Sequence, residues 1–413
     1  MRRVVITGIG AVTPLAGTFH ASWERCKAGA TGIGSITRFD ASGLPWKTAG
    51  EIKDFTPGAS LSPKEALRHD PFVWYAVAAS LMAVEDAGLR SGERADGKPA
   101  LPGGFPDGAG ILIGSSRGGI STMEREMERA RRSLALSPYL MPASTISMAA
   151  SMVAQKTGMR GTCLGISNAC ASGANAVGEA FRLVRAGIAP LLLAGGAEAP
   201  VCSLCVRGYG ASGALSKIAG PSASRPFDRT RDGFVLAEGA AVLVIEELSG
   251  ALRRGARIYA EIIGYSAAAD AFHMTKPDPR GEARAVRSAL EDAGVSPDAV
   301  DYINLHGTST PLGDRAEAAA AGIVFGGRAA ALPASALKSL TGHMLAASGA
   351  FEAACTAMTL KEGVIPPSLH LREKDPECPV ALVTERQETP ARVAVTQSFG
   401  FGGVNAVLVM RKA

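Results

Sequence analysis

A chain of 413 residues, 47% apolar and 20% charged, is too long for one small module and too apolar for a disordered tail. Its 43 basic and 38 acidic side chains leave a net charge of +5, too mild to indicate nucleic acid but compatible with an acidic partner. Seven cysteines, odd in number and without framework spacing, exclude a disulfide scaffold and fit reduced thiols in a cytoplasmic protein.

Met1-Arg2-Arg3 and the apolar residues behind it begin like a signal peptide. Gly8, Gly10 and Pro14 interrupt that stretch and no cleavage site follows, so it reads as a buried strand over 4–7. Gly8-Ile9-Gly10 reads as a tight strand-to-loop turn, since the third glycine of a dinucleotide fingerprint is missing. A helix is predicted over 72–87, a Gly/Pro-rich surface loop over 90–107, and a buried strand over 110–113. A helix over 171–186, strands over 191–194 and 242–246, and helices over 282–293 and 347–361 follow. The apolar runs, such as 240–245, stop well short of the ~20 residues of a membrane span. Alternation of this kind predicts an α/β fold with a partly parallel sheet.

The sequence also repeats itself. Ala171-Ser172-Gly173-Ala174 recurs as Ala347-Ser348-Gly349-Ala350, an offset of 176 that also relates Gly187 to Gly363 and Pro190 to Pro366. A helix opening in A-S-G-A and closing at a glycine cap therefore occurs twice. Phe234 and Val242-Leu243-Val244 are echoed by Phe399 and Val407-Leu408-Val409 at an offset of 165. Two echoes in the same order suggest related halves, roughly 1–250 and 251–413.

Several motifs mislead. Cys202-Ser203-Leu204-Cys205 lacks the second pair of a zinc site and reads as core thiols, so no metal is expected. Ser335-Ala336-Leu337-Lys338 and Lys156-Thr157-Gly158 stand in the reverse of the penicillin-binding order. Gly114-Ser115-Ser116-Arg117-Gly118 is a serious competitor. It is G-x-S-x-G after an apolar strand, the mark of a serine hydrolase with Ser116 as nucleophile and a later base such as His306. No H-G-G-G segment lies upstream, and the residues after Gly119 are charged. The serine hydrolase stands as the alternative reading.

The stronger constellation is one Cys and two His in small-residue loops. Cys170, in Asn168-Ala169-Cys170-Ala171-Ser172-Gly173, falls at a helix N-terminus, where backbone N–H groups stabilise a thiolate and can bind an oxyanion. His306 follows an apolar strand in Asn304-Leu305-His306-Gly307-Thr308-Ser309-Thr310-Pro311, at the strand end where α/β sites form. His343 closes Lys338-Ser339-Leu340-Thr341-Gly342-His343, just before the second A-S-G-A helix. Superposing the repeats puts Cys170 on residue 346, so a pseudo-two-fold axis would make Cys170 and His343 neighbours.

These motifs resemble the elongating β-ketoacyl-acyl carrier protein synthases of the thiolase superfamily. A-C-x-S-G at Cys170, Asp232-Gly233-Phe234-Val235-Leu236-Ala237-Glu238-Gly239, the stretch from His306 to Asp314, Lys338–His343 and Phe399-Gly400-Phe401-Gly402-Gly403-Val404-Asn405 occur in the family order across nearly the whole chain. The resemblance implies a five-layer αβαβα thiolase-like fold of two duplicated halves, the first carrying the nucleophilic Cys and the second the two His. It implies a homodimer, or a heterodimer with a ketosynthase-like subunit. It also implies decarboxylative condensation of an acyl thioester on Cys170 with malonyl-carrier protein, in fatty acid or polyketide synthesis. No cofactor is implied, since the substrates ride on the phosphopantetheine of acyl carrier protein.

By the same resemblance, His306 and His343 stabilise the enolate. Lys338 and Glu352 form a supporting charged pair, with Asp314 also in support. The amides of Cys170 and Phe401 form the oxyanion hole, and Thr308 and Thr310 hold the pantetheine arm. Phe399, Phe401, Tyr209 and Arg117 shape the gate and acyl pocket, and Lys64, Arg68, Arg129, Arg131 and Arg132 receive the acidic carrier. Three departures stand out: Asn168 and Ala171 flank the Cys, Gly213 replaces a basic docking residue, and Arg117 replaces an apolar one. A buried guanidinium needs an acid, from this chain or from across a dimer, or a polar substrate. A non-catalytic partner subunit would lack Cys170, and a biosynthetic thiolase would carry a second cysteine near the C-terminus.

Overall fold

The computed structural model describes residues 1–89 and 105–413; most of the loop expected over 90–107 lies outside the described residues. Eleven strands form one sheet: β1 (Val4–Val12), β2 (Gly110–Gly114), β3 (Cys163–Ile166), β4 (Leu191–Glu198), β5 (Gly239–Glu247), β6 (Ala260–Ala269), β7 (Tyr302–Asn304), β8 (Pro333–Ser335), β9 (Ala381–Leu382), β10 (Val393–Gly400) and β11 (Val404–Arg411). Their order is β9-β8-β7-β10-β11-β6-β1-β5-β4-β2-β3. Outward from the antiparallel β1–β6 junction, both arms run antiparallel, antiparallel, parallel, parallel, and the arm from β6 adds one more parallel strand, β9. The two sequence echoes fall on matching elements of these arms, β5 with β11 and one central helix with the other.

The principal helices are α1 (Pro71–Asp86), α2 (Ile120–Arg131), α3 (Met148–Thr157), α4 (Ser172–Arg185), α5 (Ser203–Ala211), α6 (Pro279–Ala293), α7 (Pro311–Phe325) and α8 (Ala346–Glu362). Strand side chains alternate between faces. Ala241, Leu243 and Ile245 enter the central core with α4 and α8, while Val242 and Val244 enter an outer core with α1 and α3. In the other arm Ala406, Leu408 and Met410 face the central core, and Val407 and Val409 face α6 and α7. The result is α1/α3, sheet, α4/α8, sheet, α6/α7, the expected thiolase-like five layers. Burial on both faces explains why these strands read as unbroken apolar runs.

Glycine permits the closest contact of the central layer. A Cβ on Gly173 would lie 2.1 Å from the Ala346 carbonyl oxygen, so the first A-S-G-A needs its glycine where α4 meets the start of α8. Gly8-Ile9-Gly10, expected to turn, instead continues β1. The reason is again contact: a Cβ on Gly10 would sit 2.0 Å from the carbonyl oxygen of Ala79 in α1. Among the described residues no helix is long and apolar enough to cross a membrane.

Candidate active site

Cys170 follows Ala169, which has φ +46°, and precedes Ala171, the N-cap of α4. Leu345, also at φ +46°, caps α8 two residues after His343. In both places the serine of A-S-G-A pins the elbow: Ser172 Oγ accepts the Asn168 N–H at 2.8 Å and Ser348 Oγ accepts the Met344 N–H at 2.9 Å. His343 is further held by its own backbone, which bonds to Val235 O at 2.7 Å and to the Ala237 N–H at 2.9 Å. The two helix starts thus converge, and His343 Nε2 lies 3.0 Å from Cys170 Sγ. His343 Nδ1 lies 3.3 Å from Ser348 Oγ.

His306 stands two residues beyond β7. Glu317, one helical turn beyond Asp314 on α7, accepts the N–H groups of His306 and Gly307 at 2.6 and 2.8 Å. From the other side Lys338 Nζ donates to the His306 carbonyl and to Glu352 Oε1, both at 2.6 Å. The two imidazoles meet edge to face, with centroids 5.4 Å apart. Asp314 stiffens the same loop by accepting the Ser309 and Phe227 N–H groups at 3.0 and 2.7 Å, and it pairs with Arg231 at 3.3 Å. Thr308 and Thr310 Oγ1 atoms are 3.0 Å apart.

Burial governs the protonation states here. It holds both imidazoles well below the usual histidine range, helped by the Lys338 cation, so they are neutral. It raises Glu317 to about 8 and Glu352 to about 7. The helix start was expected to lower the Cys170 thiol; burial instead pushes it up to about 11, although Lys338, Arg117 and the Phe401 amide act the other way. The resting pair is therefore a thiol beside a neutral imidazole.

Cys170, His306 and His343 line a cavity of about 340 Å³ together with Thr308, Thr310, Tyr209, Phe399 and Phe401. Its exposed lining residues are Ser212-Gly213, Met274-Thr275-Lys276 and Pro311-Leu312, so it opens there. The loop carrying Phe401 is tied to the segment beside it: Gly402 N–H donates to Met274 O and Asp270 N–H to Gly403 O, both at 2.7 Å.

Other expected residues fall elsewhere. Arg117 is exposed and is not among the described residues lining the cavity; its Nε donates to Tyr209 Oη at 2.8 Å. Ser116 is no hydrolase nucleophile: its Oγ donates to buried Glu198 at 2.8 Å rather than facing an imidazole. Cys202 and Cys205 are buried free thiols. The basic residues assigned to docking also lie off the cavity. Arg129 pairs with Glu126 at 3.5 Å, Arg131 and Arg132 with Glu128 at 3.9 and 2.8 Å, and Arg68 covers the Tyr139 ring. Lys64 is exposed on the short turn Pro63–Ala66. Glu317, Ser348 and Phe234, whose ring meets His343 edge to face at 5.3 Å, were not singled out as site residues. Ser348 and Phe234 lay inside the quoted motifs, and Glu317 stood three residues past one.

Comparison with known proteins decides the class. The Beta-ketoacyl synthase N-terminal domain matches residues 1–251 and the C-terminal domain matches residues 259–372. The chain belongs to the beta-ketoacyl synthase family. It is accordingly an enzyme of the acyltransferase class. It is 41% identical over 418 residues to a 3-oxoacyl-[acyl-carrier-protein] synthase 2 of Synechocystis sp., covering 100% of this chain and 98% of that one. The ishigamide ketosynthase/chain length factor superposes with a TM-score of 0.92 at 35% identity, covering 100% of this chain and 99% of that chain. A type II PKS ketosynthase, solved with its acyl-carrier protein and bound to the hexaketide, superposes with a TM-score of 0.89 at 32% identity over 100% of both chains. Nothing in these likenesses supports a serine hydrolase.

Proposed function

We propose that this β-ketoacyl synthase condenses an acyl group held on Cys170 with a malonyl group, both delivered on the phosphopantetheine of an acyl carrier protein. The observation that carries the reading is the 3.0 Å approach of His343 Nε2 to Cys170 Sγ inside a cavity that a second neutral imidazole also enters. Cys170 gives its proton to His343 as sulfur attacks the incoming thioester. The Cys170 and Phe401 amides hold the oxyanion, and the departing pantetheine thiolate takes the proton back. A malonyl thioester then loses CO₂, and its enolate oxygen is stabilised by an N–H of His306 and by His343 in its Nε2–H tautomer. The enolate carbon attacks the acyl-enzyme carbonyl, and the Cys170 thiolate leaves and takes a proton from water. Thr308 and Thr310 suit the arm's amides, and no cofactor enters any step.

The carrier bound to the related ketosynthase supports such a partner for this chain, with Lys64, Arg68 and the α2 arginines as its basic rim. A ketosynthase-like second subunit is supported by the open edge of β3, where Cys163 and Leu164 are exposed, and by exposed Met123, Met127 and Met141. The seven free thiols support a cytoplasmic setting. The test is intact mass after incubation with acyl- and then malonyl-carrier protein. An acyl adduct that is lost in Cys170→Ala, followed by release of a β-ketoacyl product, is expected. A protein that takes up no acyl group overturns the reading.

A further inference from the structure

Each turnover of that condensation consumes one proton. Acyl transfer is proton-neutral, since Cys170 gives up a proton and the departing pantetheine thiolate receives one. Condensation is not: the malonyl carboxylate leaves as CO₂, and the Cys170 thiolate departs in need of a proton. Both imidazoles are neutral and have none to spare. The proton has to reach the sulfur from elsewhere while the carrier arm occupies the channel.

Asp270 after β6, Glu282 in the first turn of α6 and Glu317 on α7 all line the cavity that holds Cys170. Asp270 Oδ1 accepts from Asn405 Nδ2 at 2.6 Å and its Oδ2 accepts the Asp278 N–H at 3.0 Å. Glu317 spends both oxygens on the His306 and Gly307 N–H groups. Asp232, another acid of the lining, accepts from Ser216 Oγ and the Lys217 N–H at 2.5 and 2.9 Å.

Glu282 is different. The residue is 1% exposed, its carboxyl makes no hydrogen bond or ion pair among the described residues, and its Oε2 is completely buried. The charges that act on it most are all acids: Glu317, Asp270, Asp278 and Asp314. The bases nearby are turned to other tasks. Arg284 Nη2 donates to Ala269 O at 3.0 Å, and Lys276 is exposed on the rim. The opening of α6 is already capped, by Asp278 Oδ1 on the Arg280 N–H at 3.1 Å. Carboxyls that receive N–H donors are favoured as anions, and one buried among them with no donor is neutral. Glu282 thus faces the reacting cavity as a proton donor with no acceptor in the resting chain.

We propose that Glu282 stores the proton that condensation consumes. As the Cys170 thiolate leaves, a cavity water gives it a proton and takes one from the Glu282 carboxyl. The thiol re-forms and Glu282 is left as a carboxylate. When the product departs on its carrier, bulk water re-enters at Met274-Thr275-Lys276 and returns the proton. Without that delivery the thiolate re-attacks the ketone of the product and reverses the step. The inference rests on the condensation reading and adds a proton source to it. Because Glu282 acts through water, it is a positioning residue and not a catalytic one.

The experiment acylates the full-length protein on Cys170 with hexanoyl-carrier protein, removes the donor, adds malonyl-carrier protein and follows the β-ketoacyl product against pH. Glu282→Gln keeps the shape and lacks the proton. It should acylate Cys170 at the wild-type rate and slow condensation by about 10²-fold or more, the scale of one acid–base group. Wild-type condensation should slow as rising pH strips the carboxyl, and the Gln variant should lack that alkaline limb. Glu282→Asp should restore part of the rate. The wild-type profile is a test that needs no variant: a condensation rate that stays level across the alkaline range overturns the inference. So does a Glu282→Gln protein that condenses at wild-type speed, or one that loses both half-reactions alike, which marks a role in packing. If the wild type never acylates Cys170, the condensation reading falls and takes this inference with it.

Discussion

Ala169 and Leu345 share one unusual backbone angle, φ +46°, at the entrances of the two central helices. A left-handed residue with a side chain costs about 1–2 kcal/mol, and here each sharp elbow brings a reacting group inward. The first presents Cys170 and the second follows His343, so each reacting group sits beside a positive-φ residue at a central helix start.

Relieving the first elbow should be nearly harmless. Ala169→Gly removes the Cβ penalty but adds unfolded-state freedom, so stability should stay within about 1 kcal/mol of wild type. Ala169→Val, branched at a left-handed position, should lose about 1–3 kcal/mol and slow acylation of Cys170. Denaturant midpoints and adduct kinetics decide; equal stability of Gly and Val variants would mean the turn carries no strain.

The two half-reactions should separate. Cys170→Ala removes the acyl-enzyme but leaves both imidazoles, so it should make no condensation product while still releasing CO₂ from malonyl-carrier protein. His306→Ala or His343→Ala should lower that release about 10²-fold or more, the scale of one positioned donor. At least one of the His variants should still acylate Cys170. Normal decarboxylation in both His variants would refute this division of labour.

Lys338 neutralises Glu352 and holds the His306 carbonyl from a fully buried position. Lys338→Ala should therefore cost about 3–5 kcal/mol at neutral pH, the range for orphaning a buried partner. Lys338 holds down a carboxyl that burial has raised to about 7, so without it Glu352 titrates higher still; the loss should be largest above that range and level off below about 7, where the carboxyl is protonated with or without the lysine. The double variant Lys338→Ala/Glu352→Gln should recover part of it. A single-variant loss below about 1 kcal/mol would place the pair with surface bridges instead.

Glu198 gives a pH test with a defined sign. Burial raises it from 4.5 to about 7, so the folded chain holds a proton that the unfolded chain releases earlier. Its favourable contribution is complete below 4.5 and is lost as pH rises through about 7. The melting temperature of Glu198→Gln, relative to wild type, should accordingly climb across that window and level above it. A difference that is flat with pH would show that the carboxyl titrates normally.

The repeat carried much of the site in the sequence. A-S-G-A appears twice because each copy needs a serine to pin an elbow and a small residue where helices touch, so the neighbourhood of Cys170 and His343 was legible from spacing. Periodicity found β5 and α8, since strands and helices buried on both sides leave long apolar runs. Gly8-Ile9-Gly10 misled because a glycine demanded by a packed helix looks the same as one demanded by a turn. Glu317 was hidden because its task is to accept backbone amides, which leaves no pattern in side-chain types. The rise of the Cys170 thiol was hidden as well: a helix terminus can be read from letters, but the depth at which the sulfur is buried depends on residues hundreds of positions away.

The two backbone bonds between 402–403 and 270–274 mean that the main chain carrying Phe401 does not move by itself. Any outward shift of the backbone at Phe401 either breaks both bonds or drags the neighbouring segment along, with Phe272 and Met274 exposed upon it. Widening the inner end of the channel thus reshapes its outer rim in the same stroke. A visitor pressing on the rim and a chain growing on Cys170 would push on one hinge from opposite ends.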